Sequence, residues 1–373
     1  MQAFVFTDKR LERYAGQFVW LQVDIENSRN AAFLAKYPIP AIPTLMVIDP
    51  KKESVALRYM SGATVQQMEK LLADGKRAVQ PEVRASADAL LTAADKYASQ
   101  GLNAEAIKSY EMALAKARKD WGRYGRASES YITALAMHRD NDRCVAFAQE
   151  AYPRLRGTSS GANIAATGLG CAAEIPAKSD TIAYFENATR ESMSDPKIPL
   201  SGDDRSGMYQ ALISAREALK DEAGEKKVTE EWSAFLDAEA AKAKTPEERS
   251  VYDSHRLGAY LALGTPEKAI PMLEQSEKDF PNDYNAPSRL SAAYKAMKKY
   301  DEALAASDRA LVHVYGPRKI GVLRNRADLF LAKGDKENAR KTLQEAIDYA
   351  SALPNGQRSD NTIASLKKKL GTI

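Results

Sequence analysis

The chain is 373 residues long, 44% hydrophobic and 28% charged, the profile of an ordinary folded protein with room for two or three domains, or one domain and a solenoid. A formal net charge of +4 on this length argues neither for nucleic acid nor for an anionic membrane as partner. No apolar run approaches the ~18 residues a bilayer span needs, and no signal-peptide pattern follows Met1.

Residues 17–24, rich in β-branched and aromatic side chains, read as a buried strand. Residues 27–37 read as a helix, with Ser28 as N-cap and Ala31, Phe33 and Leu34 on its inner side. A proline-dense turn follows at 38–44. Then come a second strand at 45–48, a turn at 49–52 and a third strand at 54–59, and Gly62 and Thr64 open a helix that runs through Leu72.

This order of elements, with Ala41-Ile42-Pro43-Thr44 before the second strand, resembles the C-terminal half of a thioredoxin fold over residues 1–75. The expected fold class is therefore α/β, a partial thioredoxin-like domain at 1–78, followed by an all-α solenoid. The resemblance implies that Pro43 follows a cis bond beside a redox pair. It also implies that Ile42 docks an extended client through its backbone groups, and that Thr44 faces the same groove. Gly62 matches the glycine after the last strand, and Asp24-Ile25-Glu26 the acidic end of an earlier one. The family's reactive CxxC, first strand, first helix and central strand would all lie upstream of Met1, so the chain is expected to start late and to carry no catalytic residue. Without a central strand, the strands beginning at Gln17 and Leu45 would leave backbone groups unpaired, at about 1–3 kcal/mol for each buried one.

Composition shifts at 79–82, where Pro81 marks a boundary, and residues 85–98 read as the first solenoid helix. Tyr97 precedes Ala106 by nine residues, with Gly101 between them and Tyr110 and Ala113 continuing a second helix. Residues 121–138 and 142–155 read as the next pair. Cys144 and Cys171 lie 27 apart without a CxxC and read as buried small hydrophobes. The string Gly168-Leu169-Gly170-Cys171-Ala172-Ala173 fits the dinucleotide fingerprint in letters, but sits in the helix-like stretch 162–173, where glycines let helices pack closely. Further helices are read at 180–193, 205–219 and 229–243, with a loop at 194–204 and a capped start at Thr245-Pro246-Glu247-Glu248.

From Tyr260 one pattern is then written three times. Tyr260, Tyr294 and Phe330 each precede an alanine (Ala269, Ala303, Ala339) by nine residues, and successive copies are 34 and 36 residues apart. Such a period points to stacked helix pairs. A breaker stands four residues after each aromatic (Gly264, Lys298, Gly334), Leu273 and Leu343 extend the apolar stripe, and Pro281 and Pro317 punctuate the ends. The pattern resembles the tetratricopeptide repeat without its leading tryptophan. It implies an α-helical solenoid over 84–373 of about seven pairs, with 360–370 as a terminal capping helix and Lys367-Lys368-Lys369 on a solvated face.

His138, His255 and His313 have no partner at metal-ligand spacing. Asp140-Asn141-Asp142 lacks the glycine and distal glutamate of a calcium loop. Ser365-Leu366-Lys367-Lys368 fits SxxK with no second element of an acyl-transfer site, and nothing resembles a P-loop. No self-sufficient active site and no cofactor are expected. By analogy with the repeat, Ser288, Lys295, Arg324 and Asp328 face inward, where they would grip an extended peptide. The pattern by which some repeat proteins clamp a C-terminal carboxylate is not there. The resemblances together imply a thioredoxin-family protein whose repeats recruit protein or peptide clients for thiol–disulfide chemistry. The first alternative is a redox-inactive protein-binding scaffold, and the second a helical scaffold that assembles a larger complex. Neither nucleic acid, nor a membrane span, nor a small-molecule cofactor enters any of these readings. Fusions of this kind are commonly exported by bacteria, which would place a signal peptide upstream as well.

Overall fold

The computed structural model describes residue 1 and residues 3–80, 86–176 and 179–373. It opens with a 3-10 turn at Lys9–Tyr14, helix α1 (Ala31–Lys36), a hairpin of β1 (Leu45–Asp49) and β2 (Ser54–Tyr59), and α2 (Val65–Ala78). Helices follow: α3 (Ala87–Ser99), α4 (Asn103–Lys116), α5 (Tyr124–Met137), α6 (Asn141–Leu155), α7 (Ser159–Ala173), α8 (Ser179–Ser194), α9 (Gly202–Ala218) and α10 (Glu222–Lys242). The last are α11 (Pro246–Ser250), α12 (Asp253–Ala262), α13 (Ala269–Asp279), α14 (Asn285–Ala296), α15 (Tyr300–His313), α16 (Gly316–Ala332), α17 (Lys336–Ala352) and α18 (Asp360–Leu370). The chain divides into two units, Met1–Phe18 with Ile39–Trp232 and Val19–Pro38 with Ser233–Ile373. Pro81 and Ala85 lie outside the described residues.

In the first unit, β1 and β2 pair antiparallel, Leu45 opposite Tyr59 and Val47 opposite Leu57. The Asp49 carboxylate closes their turn by accepting from the Lys51 amide at 2.9 Å. β2 is covered by α2 and by α3. Its residues 55–59 are therefore all buried, where a strand with one wet face would alternate. Thr64 and Gln67 form a reciprocal capping box that starts α2. The helix outruns the expected end at Leu72 by six residues, because Leu71, Leu72 and Gly75 are all buried.

One two-stranded hairpin is the whole of the β structure among the described residues, which is too little to show a thioredoxin-like domain. Residues 17–24 form no strand: Val19 and Leu21 are 87% and 76% exposed. β-Branched composition favours a pleated, half-buried surface, and the described sheet holds β1 and β2 alone, without these residues. Asn27, not Ser28, caps the following turn, accepting from the Arg29 amide at 3.0 Å.

The cysteines are buried as expected, but they are also joined, in a Cys144–Cys171 disulfide between α6 and α7. α7 holds the whole Gly168–Ala173 string and follows helix α6, so the strand–turn–helix setting of a dinucleotide site is not present. A Cβ on Gly168 would lie 2.7 Å from that of Ala148 in α6 and 3.0 Å from the Phe185 ring in α8. Close helix packing is what that glycine permits.

Across the helical part, six first helices end by one device. The residue at C′ takes a left-handed conformation: Gly101, Arg139, Lys220, Gly264, Lys298 and Gly334, with φ between 56° and 81°. The next amide reaches back to the carbonyl five residues earlier, as from Leu102 to Tyr97, Thr265 to Tyr260, Lys299 to Tyr294 and Asp335 to Phe330. The recurring aromatic is thus the residue whose carbonyl closes the turn. The alanine nine residues on lies on the inner face of the second helix. Ala269, Ala303 and Ala339 are 0% exposed, and so are Leu273 and Leu343. Pro281 follows α13, whereas Pro317 stands in the first turn of α16, where its missing N–H costs nothing. α18 closes the second unit by burying Ile363 and Leu366 against α16 and α17.

Lys298 holds φ +59° where its two sister turns use glycine. An L residue in that region costs roughly 1–2 kcal/mol, partly offset by the greater freedom glycine has in the unfolded chain. Lys298→Gly is expected to stabilise the protein by up to about 1 kcal/mol, read as a higher urea midpoint; a lower midpoint would contradict this account of the turn.

Candidate functional site

In the second unit the segment preceding α1 lies against the amino ends of α14 and α16 and the α17–α18 loop. The Glu26 carboxylate accepts from the Tyr284 hydroxyl at 2.9 Å on each oxygen and from Arg318 Nε at 3.0 Å. Asp24 accepts from the Tyr315 hydroxyl at 2.6 Å. Gln357 Nε2 donates to the Ile25 carbonyl at 2.8 Å. Tyr284 and Tyr315 are the residues just before α14 and α16, so both carboxylates also meet the positive ends of helix dipoles.

The close approach depends on two glycines. Gly316 has φ +57°, and a Cβ there would stand 2.0 Å from the Glu26 carbonyl oxygen. Gly356 has φ +92°, and its Cβ would be 2.5 Å from the Ala31 carbonyl oxygen. Any side chain at either position would lift the segment off.

Burial, and then the Glu26 carboxylate, push the Tyr284 phenol up. The hydrogen bond to Asp24 pushes Tyr315 up to about 12. Both tyrosines are held as donors. Arg289 stands near Tyr284 and Arg318, and burial pulls its pKa down against the carboxylates of Asp253 and Asp283. A cavity of about 500 Å³ remains beside the segment, lined among others by Asn27, Arg29, Tyr315, Tyr349, Leu353 and Gln357.

Of the inward residues expected from sequence, Lys295 and Asp328 come together, N to O at 3.4 Å. Lys295 also donates to Asn325 Oδ1 at 3.3 Å, and Asn325 Nδ2 to Ser291 Oγ at 3.0 Å. Lys369 completes the cluster by donating to Asp328, so one lysine of the run read as solvated is turned inward. Ser288 is half-buried in the first turn of α14, and Arg324 is exposed on α16. Asn325 and Ser291 do not stand out in the sequence, and Lys369 does so only as part of a charged run. Asn325 and Asp328 lie three apart on one helix face, a signal that could have joined them. Ile42, Pro43 and Thr44 form the loop before β1 in the first unit. Ile42 is 60% exposed, the Ile42–Pro43 bond is cis, and the Thr44 hydroxyl donates to the Ala41 carbonyl at 2.6 Å.

The first unit holds buried acids pushed up by burial, Asp95 between Tyr110 and Arg126, and Glu129 and Asp204. Glu129 accepts from the Tyr59 hydroxyl and, at 3.4 Å, from Asn163 Nδ2. Burial pushes Glu129, and separately Asp204, up. Both serve the fold, since Glu129 ties β2 to α5 and α7, and Asp204 belongs to the capping box of α9. Among the described residues no group of three or more His, Cys, Asp or Glu is placed to hold a metal ion. None of their helices is long and apolar enough to cross a membrane.

Residues 323–352 match the family model described as "Tetratricopeptide repeat"; this covers α16 from Leu323 and all of α17. No curated protein matches the chain. Among solved structures, a tetratricopeptide repeat protein from Parabacteroides merdae ATCC 43184 aligns over 76% of this chain and 98% of its own, at 13% identity and TM-score 0.48. The TPR2AB-domain:pHSP90-complex of yeast Sti1 aligns over the same shares, at 18% identity and TM-score 0.29.

Proposed function

We propose that this chain is a protein-binding scaffold, without catalysis of its own, whose helical repeats hold an extended peptide from a protein partner. The observation that carries this reading is the repeat match over residues 323–352. In this reading residues 84–373 are the recognition part, and of residues 1–78 those outside the segment 19–38, which belongs to the second unit, are a platform. Ser288, Lys295, Arg324 and Asp328 supply charge-assisted hydrogen bonds to the peptide, and Asn325 and Lys369 orient the Lys295–Asp328 pair. Arg324 is the most informative of these to change, because it is exposed on α16.

A random peptide library displayed on phage and panned on the purified chain tests this. Enriched peptides are expected to bind Arg324→Glu at least tenfold more weakly, about 1.4 kcal/mol. No enrichment over background would remove Ser288, Lys295, Arg324 and Asp328 as the peptide-binding surface.

The second reading is client recruitment for thiol–disulfide chemistry, with Ile42, Pro43 and Thr44 as the docking loop and the reactive CxxC on a preceding segment. The exposure of Ile42 at the start of the hairpin supports it. Translation of the DNA upstream of codon 1 decides it: an in-frame CxxC sustains this reading, and its absence ends it.

A further inference from the structure

We propose that residues 24–29 are an in-chain occupant of a peptide groove in the second unit, and that the partner for this groove is an extended acidic peptide with two carboxylates two residues apart. This deepens the scaffold reading above and rests on it.

Three observations carry the proposal. The first is the form of the contacts. The segment is held through the carboxylates of Asp24 and Glu26 and the carbonyl of the residue between them, accepting from Tyr315, Tyr284, Arg318 and Gln357. Alternate side chains plus one main-chain group is how an extended peptide is read. A segment buried for stability would be held by apolar anchors instead, and residues 24–29 contribute no buried side chain.

The second is charge. Arg318 donates to Glu26, and Arg289 stands close behind, near Tyr284 and Arg318, with no carboxylate at ion-pair distance among the described residues. Two helix amino ends add to the positive field. The groove is therefore specific for anionic side chains.

The third is incomplete filling. Beyond Glu26 the segment carries Asn27, Ser28 and Arg29, and leaves a cavity of about 500 Å³ against Tyr315, Tyr349 and Leu353. A peptide with the same acidic pair followed by an apolar residue would fill space that the in-chain segment leaves open.

A tethered occupant competes at an effective concentration on the order of millimolar. The free groove therefore binds tighter than the intact protein does. The probe is a fluorescein-labelled peptide of residues 21–30, with a control in which Asn and Gln replace the two acids. Fluorescence anisotropy is expected to give at least tenfold tighter binding to D24N/E26Q than to the unaltered chain. Adding R318E should lower it at least tenfold, and the control peptide should not bind. Equal binding of acidic and control peptides, or no gain in D24N/E26Q, overturns the proposal.

If D24N/E26Q loses its cooperative helical transition, hydrogen exchange on the unaltered chain decides. Millimolar acidic peptide must then speed exchange at residues 24–30, and unchanged exchange overturns the proposal. A concentration-dependent dimer that D24N/E26Q abolishes would also overturn it, because the segment would then belong to a second copy. Failure here with enrichment in the phage experiment removes only the acidic-peptide assignment. Binding here without library enrichment removes the Arg324 surface but keeps the groove.

Discussion

Ala303→Arg is expected to unfold the α14–α15 pair and to weaken α13 and α16, while the amides of α3–α8 keep their protection. Ala303 is 0% exposed, on the face of α15 that packs on α14. A long side chain and a charge have to enter where a methyl group fits. Burying an unpaired charge costs several kcal/mol, and overpacking adds about 1–3, so a loss on the order of 3–5 kcal/mol is expected. Stacked repeats couple chiefly to their neighbours. Hydrogen exchange should therefore report full loss over Asn285–His313, partial loss on either side, and little change in the first unit. Ala303→Ser, with one added oxygen, should cost far less. A uniform loss of protection along the chain would show that the helices form one cooperative block and that the modular account is wrong.

The repeats were legible because their physics is local. An aromatic that precedes a left-handed residue by four and an alanine by nine is a spacing rule along one chain segment. It located α12–α17 from letters alone. It lost track where Leu135 and Arg216 stand in place of the aromatic, and Cys144 and Glu225 in place of the alanine, although the same reach-back is made there by the Asp140 and Asp221 amides. The misreading of residues 17–24 has a different cause. Composition can favour a strand, but a strand exists only against an edge, and that is a property of the partner. The groove was illegible for a related reason. Its donors and acceptors are 258 to 332 residues apart in sequence, and no periodicity links Glu26 to Tyr284 or Ile25 to Gln357. The cysteine pair falls between these cases. A spacing of 27 neither requires nor forbids a bond, because the Cα–Cα distance that permits one, here 6.3 Å, is set by how α6 lies on α7.

That bond gives the second large expected effect. The loop it closes spans 27 residues, and in the chain-entropy account a closure of that length stabilises by about 3–4 kcal/mol at 25 °C. Both cysteines lie inside the cluster formed by α3–α10, so native protein should be slow to react with reductant. Denatured, unreduced protein is expected to show no free thiol. Cys144→Ala/Cys171→Ala should then unfold at a distinctly lower urea midpoint, and the dependence of stability on urea concentration should steepen as the unfolded chain expands. Disulfides persist in oxidising surroundings and are rare in reducing ones. The same chain made in an oxidising and in a reducing compartment of one host should therefore give two preparations that differ by this step, the reduced one matching the double variant. Two titratable thiols in oxidised, denatured protein, or equal midpoints for the parent and the double variant, would show that Cys144 and Cys171 are packed neighbours and not a covalent staple between α6 and α7.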